Sequence, residues 1–193
     1  FVNQNKVHAA LRHTDGKYYT PQGHSMHKAF LRSPVEFYRI SSKFNPKRLH
    51  PIFKTLRPHR GVDYAAATGT PIRASGDGRV IWRGNKNGYG RTIIIQHAGV
   101  YTTLYAHMSR YNSKVKQGSR VRQGQVIGYV GTSGYATGPH LHYEFRVNGQ
   151  HRNPLTVKLP RSSSIARKEK SAFSKKAKLW TARLATLSTK SVQ

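Results

Sequence analysis

The fold class this 193-residue chain predicts is a mainly antiparallel β domain, on three observations. Short β-branched runs recur through its middle: RVIW at 79–82, RTIIIQ at 91–96 and VYTTLYA at 100–106. Turn signals separate them, namely Asp77-Gly78, Asn87-Gly88 and the glycines at 99, 118, 124 and 128. No long stretch of 3.6-residue periodicity interrupts the region from about residue 40 to 160.

Three segments follow from where that pattern starts and stops. Residues 1–43 mix Lys, His and aromatics, and DGKYYTPQG at 15–23 reads as short extended pieces bounded by turn residues. This segment is either the end of an incomplete upstream domain or an N-terminal extension packed on the main one. Residues 44–160 form the β domain. Within it GTPIRASGDGRVIWRG at 69–84 echoes GSRVRQGQVIGYVG at 118–131, each a strand, tight turn and strand, as a duplicated motif would be. Residues 161–193 carry nine Lys and Arg against the single acid Glu169, and Phe173, Ala177, Trp180, Leu184 and Leu187 recur at helical spacing. A basic amphipathic helix results. It would lie on an anionic membrane, dock on a partner, or stay a solvated tail that folds on contact.

Composition narrows the partners without naming one. Lys and Arg number 34 against 6 Asp and Glu, a formal charge of +28. Nucleic acid, an anionic cell wall, lipopolysaccharide and an anionic membrane all satisfy such a surface. The chain has no cysteine, which excludes a disulfide framework and a thiolate metal site, while eleven histidines leave imidazole and carboxylate as ligands. It begins at Phe1 and shows neither a signal peptide nor an apolar run long enough to span a bilayer, so we read it as a trimmed chain without its export signal.

Three local patterns carry chemistry. In GPHLHYEFRV at 138–147 polar and apolar residues alternate, so His140, His142, Glu144 and Arg146 share one face of a strand and Leu141, Tyr143, Phe145 and Val147 the other. Residues i and i+2 lie roughly 6–7 Å apart on a strand, within reach of one metal site, although two histidines on a solvent-facing strand would look the same. In HRGVD at 59–63, His59 and Asp63 flank a loop entering a strand. Asp63 is notable where acids are scarce, and the alternative is a simple ion pair. His107 closes the run LYAHM and is either a third imidazole at the site or a structural residue at a strand end. Two imidazoles and a carboxylate make the N/O ligand set that suits zinc with one position left for water. His8, His13, His24, His27, His50, His97 and His151 receive no role. The loop YVGTSGYATG at 129–138 lacks the Lys-Ser/Thr of a phosphate-binding loop and reads as the wall of a groove.

The ordered series HRGVDYAA, GDGRV, LYAHMS, VKQG and GQVIGYVGTSGYATGPHLHYEF resembles the peptidase domain of lysostaphin-type zinc endopeptidases over about residues 45–158, and most resembles the envelope murein DD-endopeptidases of Gram-negative bacteria. The preceding FLRSPVEFYRISSKFNPKRLHPIFKTLRPH is similar to their approach to this domain. Carried over by position, the resemblance implies that His59, Asp63 and His142 bind Zn2+ and that His107 and His140 assist a metal-activated water. It implies peptidoglycan peptide stems and cross-links as substrate, and a bacterial envelope location, periplasmic or membrane-associated. The alternatives are a non-catalytic cell-wall binding or hydrolase-activating module, and a basic nucleic-acid binder. No recognised nucleic-acid motif supports the last, so no specific nucleic acid is expected.

Overall fold

The computed structural model describes residues 2–3, 6–7, 9–26, 28–36, 38–48, 58–160, 162 and 164–190. His8, His27, His50 and the side chain of Leu187 lie outside the described residues. The chain divides into two compact units, one of residues 30–158 and one built from both chain ends, 1–29 with 159–193.

The unit of the chain ends contains two short antiparallel pairs, β1 (Val2–Asn3) with β2 (Lys6–Val7) and β3 (Leu11–Arg12) with β4 (Tyr18–Tyr19). A 3-10 turn at Arg167–Glu169 leads into helix α1 (Lys170–Lys190). Phe173 and Ala177, the first two residues of the expected apolar stripe, are buried in a small core with Tyr19 and Ile165, against which Leu11 packs. The partner of this part of the helix is thus the chain's own N-terminal segment. Trp180 and Leu184 continue the stripe but stay exposed.

The larger unit holds eleven of the strands: β5 (Arg39–Ser42), β6 (Val62–Ala65), β7 (Pro71–Arg73), β8 (Gly78–Lys86), β9 (Gly90–His97), β10 (Tyr101–Ala106), β11 (Met108–Tyr111), β12 (Arg120–Val121), β13 (Val126–Val130), β14 (His140–Val147) and β15 (Gln150–Arg152). The main sheet runs β12-β8-β9-β10-β14-β6-β5 with β15 also on β14, and a second sheet runs β11-β13-β7; the pairings are antiparallel. Because β5 belongs to the main sheet, the chain enters this unit before residue 44. The mainly antiparallel β architecture is the one expected. Its core collects the apolar residues of the strands, among them Tyr64, Ile93, Ile95, Leu104, Leu141, Tyr143 and Phe145. Each such side chain contributes about 1.5–3 kcal/mol when fully buried.

The two echoing segments fold as β7–β8 and β12–β13, and they pair crosswise, β13 with β7 and β12 with β8. One turn assignment changes and one turn is added. Gly128 lies inside β13, where a Cβ would stand 2.6 Å from the Met108 sulfur, so that glycine answers a close approach rather than a turn. Asn148 and Gly149, with φ of 50° and 75°, make the two-residue turn between β14 and β15. His97 is a core residue: its Nδ1–H donates to the Asp77 carbonyl at 2.8 Å, and its Nε2 lies 2.7 Å from the Thr103 hydroxyl.

Candidate metal centre

Strand register assembles the site. Asp63 on β6 is directly opposite His142 on β14, and His142 is opposite Ala106 on β10, so the residue after Ala106 arrives beside the same spot. Side chains of directly opposed residues stand on one face of a sheet and meet. His59 precedes β6 and is fixed by a reciprocal pair of backbone hydrogen bonds with Asn45, at 2.8 and 3.0 Å. Gly61, between His59 and Asp63, permits the approach: a Cβ there would stand 2.5 Å from the Tyr143 carbonyl oxygen and 2.8 Å from the His142 ring.

His59 Nε2 lies 3.0 Å from Asp63 Oδ1, His142 Nδ1 lies 2.8 Å from the same oxygen, and the two nitrogens are 3.2 Å apart. The second nitrogen of each ring settles its tautomer. His59 Nδ1–H donates to the Lys43 carbonyl at 2.8 Å, and His142 Nε2–H donates to Glu144 Oε1 at 3.2 Å. A carbonyl and a carboxylate only accept, so when the rings are neutral the facing nitrogens are the ones that carry the lone pairs. Two imidazole lone pairs and a carboxylate oxygen converging at about 3 Å repel one another unless a cation, a proton or a metal ion, lies among them. Tetrahedral zinc with bonds of about 2.0–2.1 Å separates its ligands by about 3.3 Å, close to this triangle. Among the described residues, this trio is the group able to hold a metal ion. The donor set and its spacing fit zinc.

His140 and His107 stand together beside the trio. His140 Nε2 is 3.9 Å from Asp63 Oδ1, and the His107 and His140 ring centroids are 4.6 Å apart. Each Nδ1–H is again tied to a carbonyl, that of Gly138 for His140 at 2.8 Å and that of Ser133 for His107 at 2.7 Å. Both rings therefore turn an accepting Nε2 away from their anchors. His107 reaches its position through strain: its φ is 59°, in the left-handed region that non-glycine residues rarely adopt, at the corner between β10 and β11. The Tyr89 carbonyl holds its backbone N–H at 2.9 Å.

Electrostatics favour positive charge at the centre. Burial pushes the Asp63 carboxyl upward, but hydrogen bonds from His142 and His59 outweigh it and hold the group far below the usual carboxylate range. Burial alone lowers the His142 pKa, yet hydrogen bonds to Asp63 and Glu144 raise it to about 9, so without a metal Nδ1 holds a proton against Asp63, and a bound cation would take that proton's place. His107 is different. Burial brings it down to about 4, which keeps the imidazole neutral at pH 7.

The site opens into a cleft of about 470 Å³ whose lining includes Arg48, Arg60, Tyr89 and Tyr135 besides His59, His107 and His142. The 129–138 loop forms part of its wall, pinned by hydrogen bonds from Tyr135 N–H to the Gly88 carbonyl and from Arg91 N–H to the Ser133 hydroxyl, both at 2.9 Å. All five expected site residues thus converge, and the two histidines of β14 are not a solvent-facing pair. Sequence reasoning gave no role to Glu144, Tyr89, Ser133, Arg146 or His151. Alternation did put Glu144 on the face of His142, but not that it would be fully buried, with its pKa held at about 2 against the upward push of burial by His142 and Arg146. His151 Nε2 lies 3.1 Å from Glu144 Oε2.

Residues 57–154 match the model described as Peptidase family M23, and residues 1–46 match that of the Csd3 second domain. A Vibrio cholerae protein named peptidoglycan DD-endopeptidase ShyC is 49% identical over 92% of this chain and 41% of its own length. The chain therefore spans less than half of that relative. The solved structure of a zinc-containing peptidase from Vibrio cholerae aligns over 78% of this chain and 47% of that one, with 39% identity and a TM-score of 0.67. A structure of Helicobacter pylori Csd3 covers 96% of this chain and 50% of that one, with 38% identity and a TM-score of 0.59.

Proposed function

Because the chain belongs to peptidase family M23, its model matching about half of these residues, we propose that this protein is a zinc-dependent endopeptidase that hydrolyses peptide cross-links of bacterial peptidoglycan. The observation that carries the reading is the convergence of His59 Nε2, Asp63 Oδ1 and His142 Nδ1 within about 3 Å of one another, while the other nitrogen of each ring is anchored to an acceptor. The name of the 49% identical relative supports peptidoglycan as substrate.

In this reading His59, Asp63 and His142 hold the metal. Zinc supplies Lewis acidity, which activates water near neutral pH and polarises the scissile carbonyl. His107 and His140 do the proton work. Their Nε2 atoms face the site unprotonated, so the pair accepts a proton from the attacking water and, once charged, stabilises the developing oxyanion and delivers a proton to the leaving amine. The carbonyls of Ser133 and Gly138 keep the rings aimed throughout. The cleft admits an extended peptide past Tyr89 and Tyr135. Action on peptidoglycan places the protein in the bacterial envelope, on the periplasmic side or at a membrane. The +28 charge, with Lys175, Lys176, Lys178 and Arg183 on α1, favours contact with anionic envelope polymers or membranes. No described helix is long and apolar enough to cross a membrane.

Digestion of purified sacculi, with mass spectrometry of the released muropeptides, tests the reading. New amino termini at the cross-links are expected, lost on chelation, restored by zinc, and absent with His140→Ala. Cleavage at the wild-type rate by metal-free protein overturns it.

A further inference from the structure

We propose that Glu144 is a positioning residue of the metal centre, whose sealed carboxylate fixes the His142 ring so that Nδ1 is left as a ligand, while Tyr89, Arg146 and His151 hold that carboxylate in place. This rests on the ligand assignment proposed above.

The chain has only six acidic residues, and it places one of them where no solvent reaches, beneath the candidate metal site. A buried carboxylate costs several kcal/mol unless its oxygens are satisfied. Here both are. Oε1 accepts from His142 Nε2 at 3.2 Å and from the Tyr89 hydroxyl at 2.7 Å. Oε2 accepts from Arg146 Nε at 2.9 Å, from Arg146 Nη2, and from His151 Nε2 at 3.1 Å.

The arrangement is two-sided. Arg146 and His151 come from β14 and β15 and would suffice for an ion pair that merely ties those strands together. Oε1 faces the other way, toward the His142 ring and toward a tyrosine brought in from the turn between β8 and β9. The same Tyr89 holds the His107 backbone through its carbonyl, so one turn residue braces both halves of the site.

The chemistry of a carboxylate is specific here. It accepts on both oxygens and donates from neither. In Glu144→Gln the amide has one accepting and one donating end, and either orientation sets a donor against donors. With the NH2 toward His142, relief comes when that ring moves its proton to Nδ1 and accepts at Nε2, which removes the ligand lone pair. Outer-shell partners of ligating histidines typically contribute 10- to 100-fold to metal affinity.

The test uses the full chain, with zinc affinity measured by competition against a chromophoric chelator, the cobalt(II)-substituted absorption spectrum, and circular dichroism as the check on folding. Folded Glu144→Gln should bind zinc about 10- to 100-fold more weakly, with an altered cobalt spectrum. Tyr89→Phe, which removes one of the carboxylate's donors, should lose about 3- to 10-fold. A folded Glu144→Gln that binds zinc within about twofold of wild type, with an unchanged cobalt spectrum, overturns the inference. If Glu144→Gln does not fold, Tyr89→Phe decides, and an unchanged zinc affinity there overturns it. A wild-type chain that takes up no zinc overturns the ligand assignment itself, and this inference with it.

Discussion

Two histidine–carboxylate pairs of almost equal length occupy the two units. In the unit of the chain ends, His13 Nε2 lies 3.3 Å from Glu169 Oε2; in the β unit, His142 Nε2 lies 3.2 Å from Glu144 Oε1. The Glu169 side chain is 45% exposed and that of Glu144 is wholly buried. Water screens the first pair and competes for its hydrogen bonds, so the contact adds little. The second has lost its water and must be satisfied by protein, which is why Tyr89, Arg146 and His151 crowd around it. Separation alone therefore does not measure an ion pair. The environment does, and in the β unit it surrounds the Glu144 carboxylate with donors on both oxygens.

The contrast can be broken from its strong side first. Replacing the proposed ligand, His142→Ala, should abolish stoichiometric zinc and reduce hydrolysis of sacculi to the level of chelated protein; metal content by atomic emission beside muropeptide release checks this. Retained zinc would show that the buried pair supports no metal. Next in size, His107→Ala should lower turnover about 10²- to 10⁴-fold while zinc content stays at wild-type level. Loss of both together would mean that His107 belongs to the ligand set rather than beside it.

The remaining two predictions sharpen the weak side. Phe173→Ala removes the largest side chain of α1 from the small core and should destabilise its docking by about 3 kcal/mol, read as faster amide exchange in α1 and in the β3–β4 hairpin. Unchanged exchange there would show that the stripe is not what holds the helix. Glu169→Gln should shift stability by less than about 1 kcal/mol in thermal melts. A loss of several kcal/mol would erase the distinction between the two pairs.

Much of the site was readable from residues because its parts are local patterns. Strict alternation through 140–147 put His140, His142, Glu144 and Arg146 on one face, and HRGVD put a rare acid four residues from a histidine. The strands at 79–82, 91–96 and 100–106 were equally plain, since β-branched runs between turn residues leave few other conformations. Other features were not readable. Gly128 looks like any turn glycine until Met108 is seen against it. Tyr89 gives no sign in the sequence that its hydroxyl and carbonyl serve two different histidines. The apolar stripe of α1 was visible, but not that Tyr19 and Leu11 pack at its beginning while Trp180 and Leu184 stay exposed.

By itself the amino-acid order determined which side chains share a strand face and which segments are extended, because backbone geometry imposes those periods within a few residues. Only the tertiary structure decided which faces meet: register laid β6, β14 and β10 side by side, and enclosure made Glu144 a buried hub while Glu169 stayed wet. The physical reason is that desolvation depends on everything packed around a group, and those neighbours come from turns and strands distant along the chain.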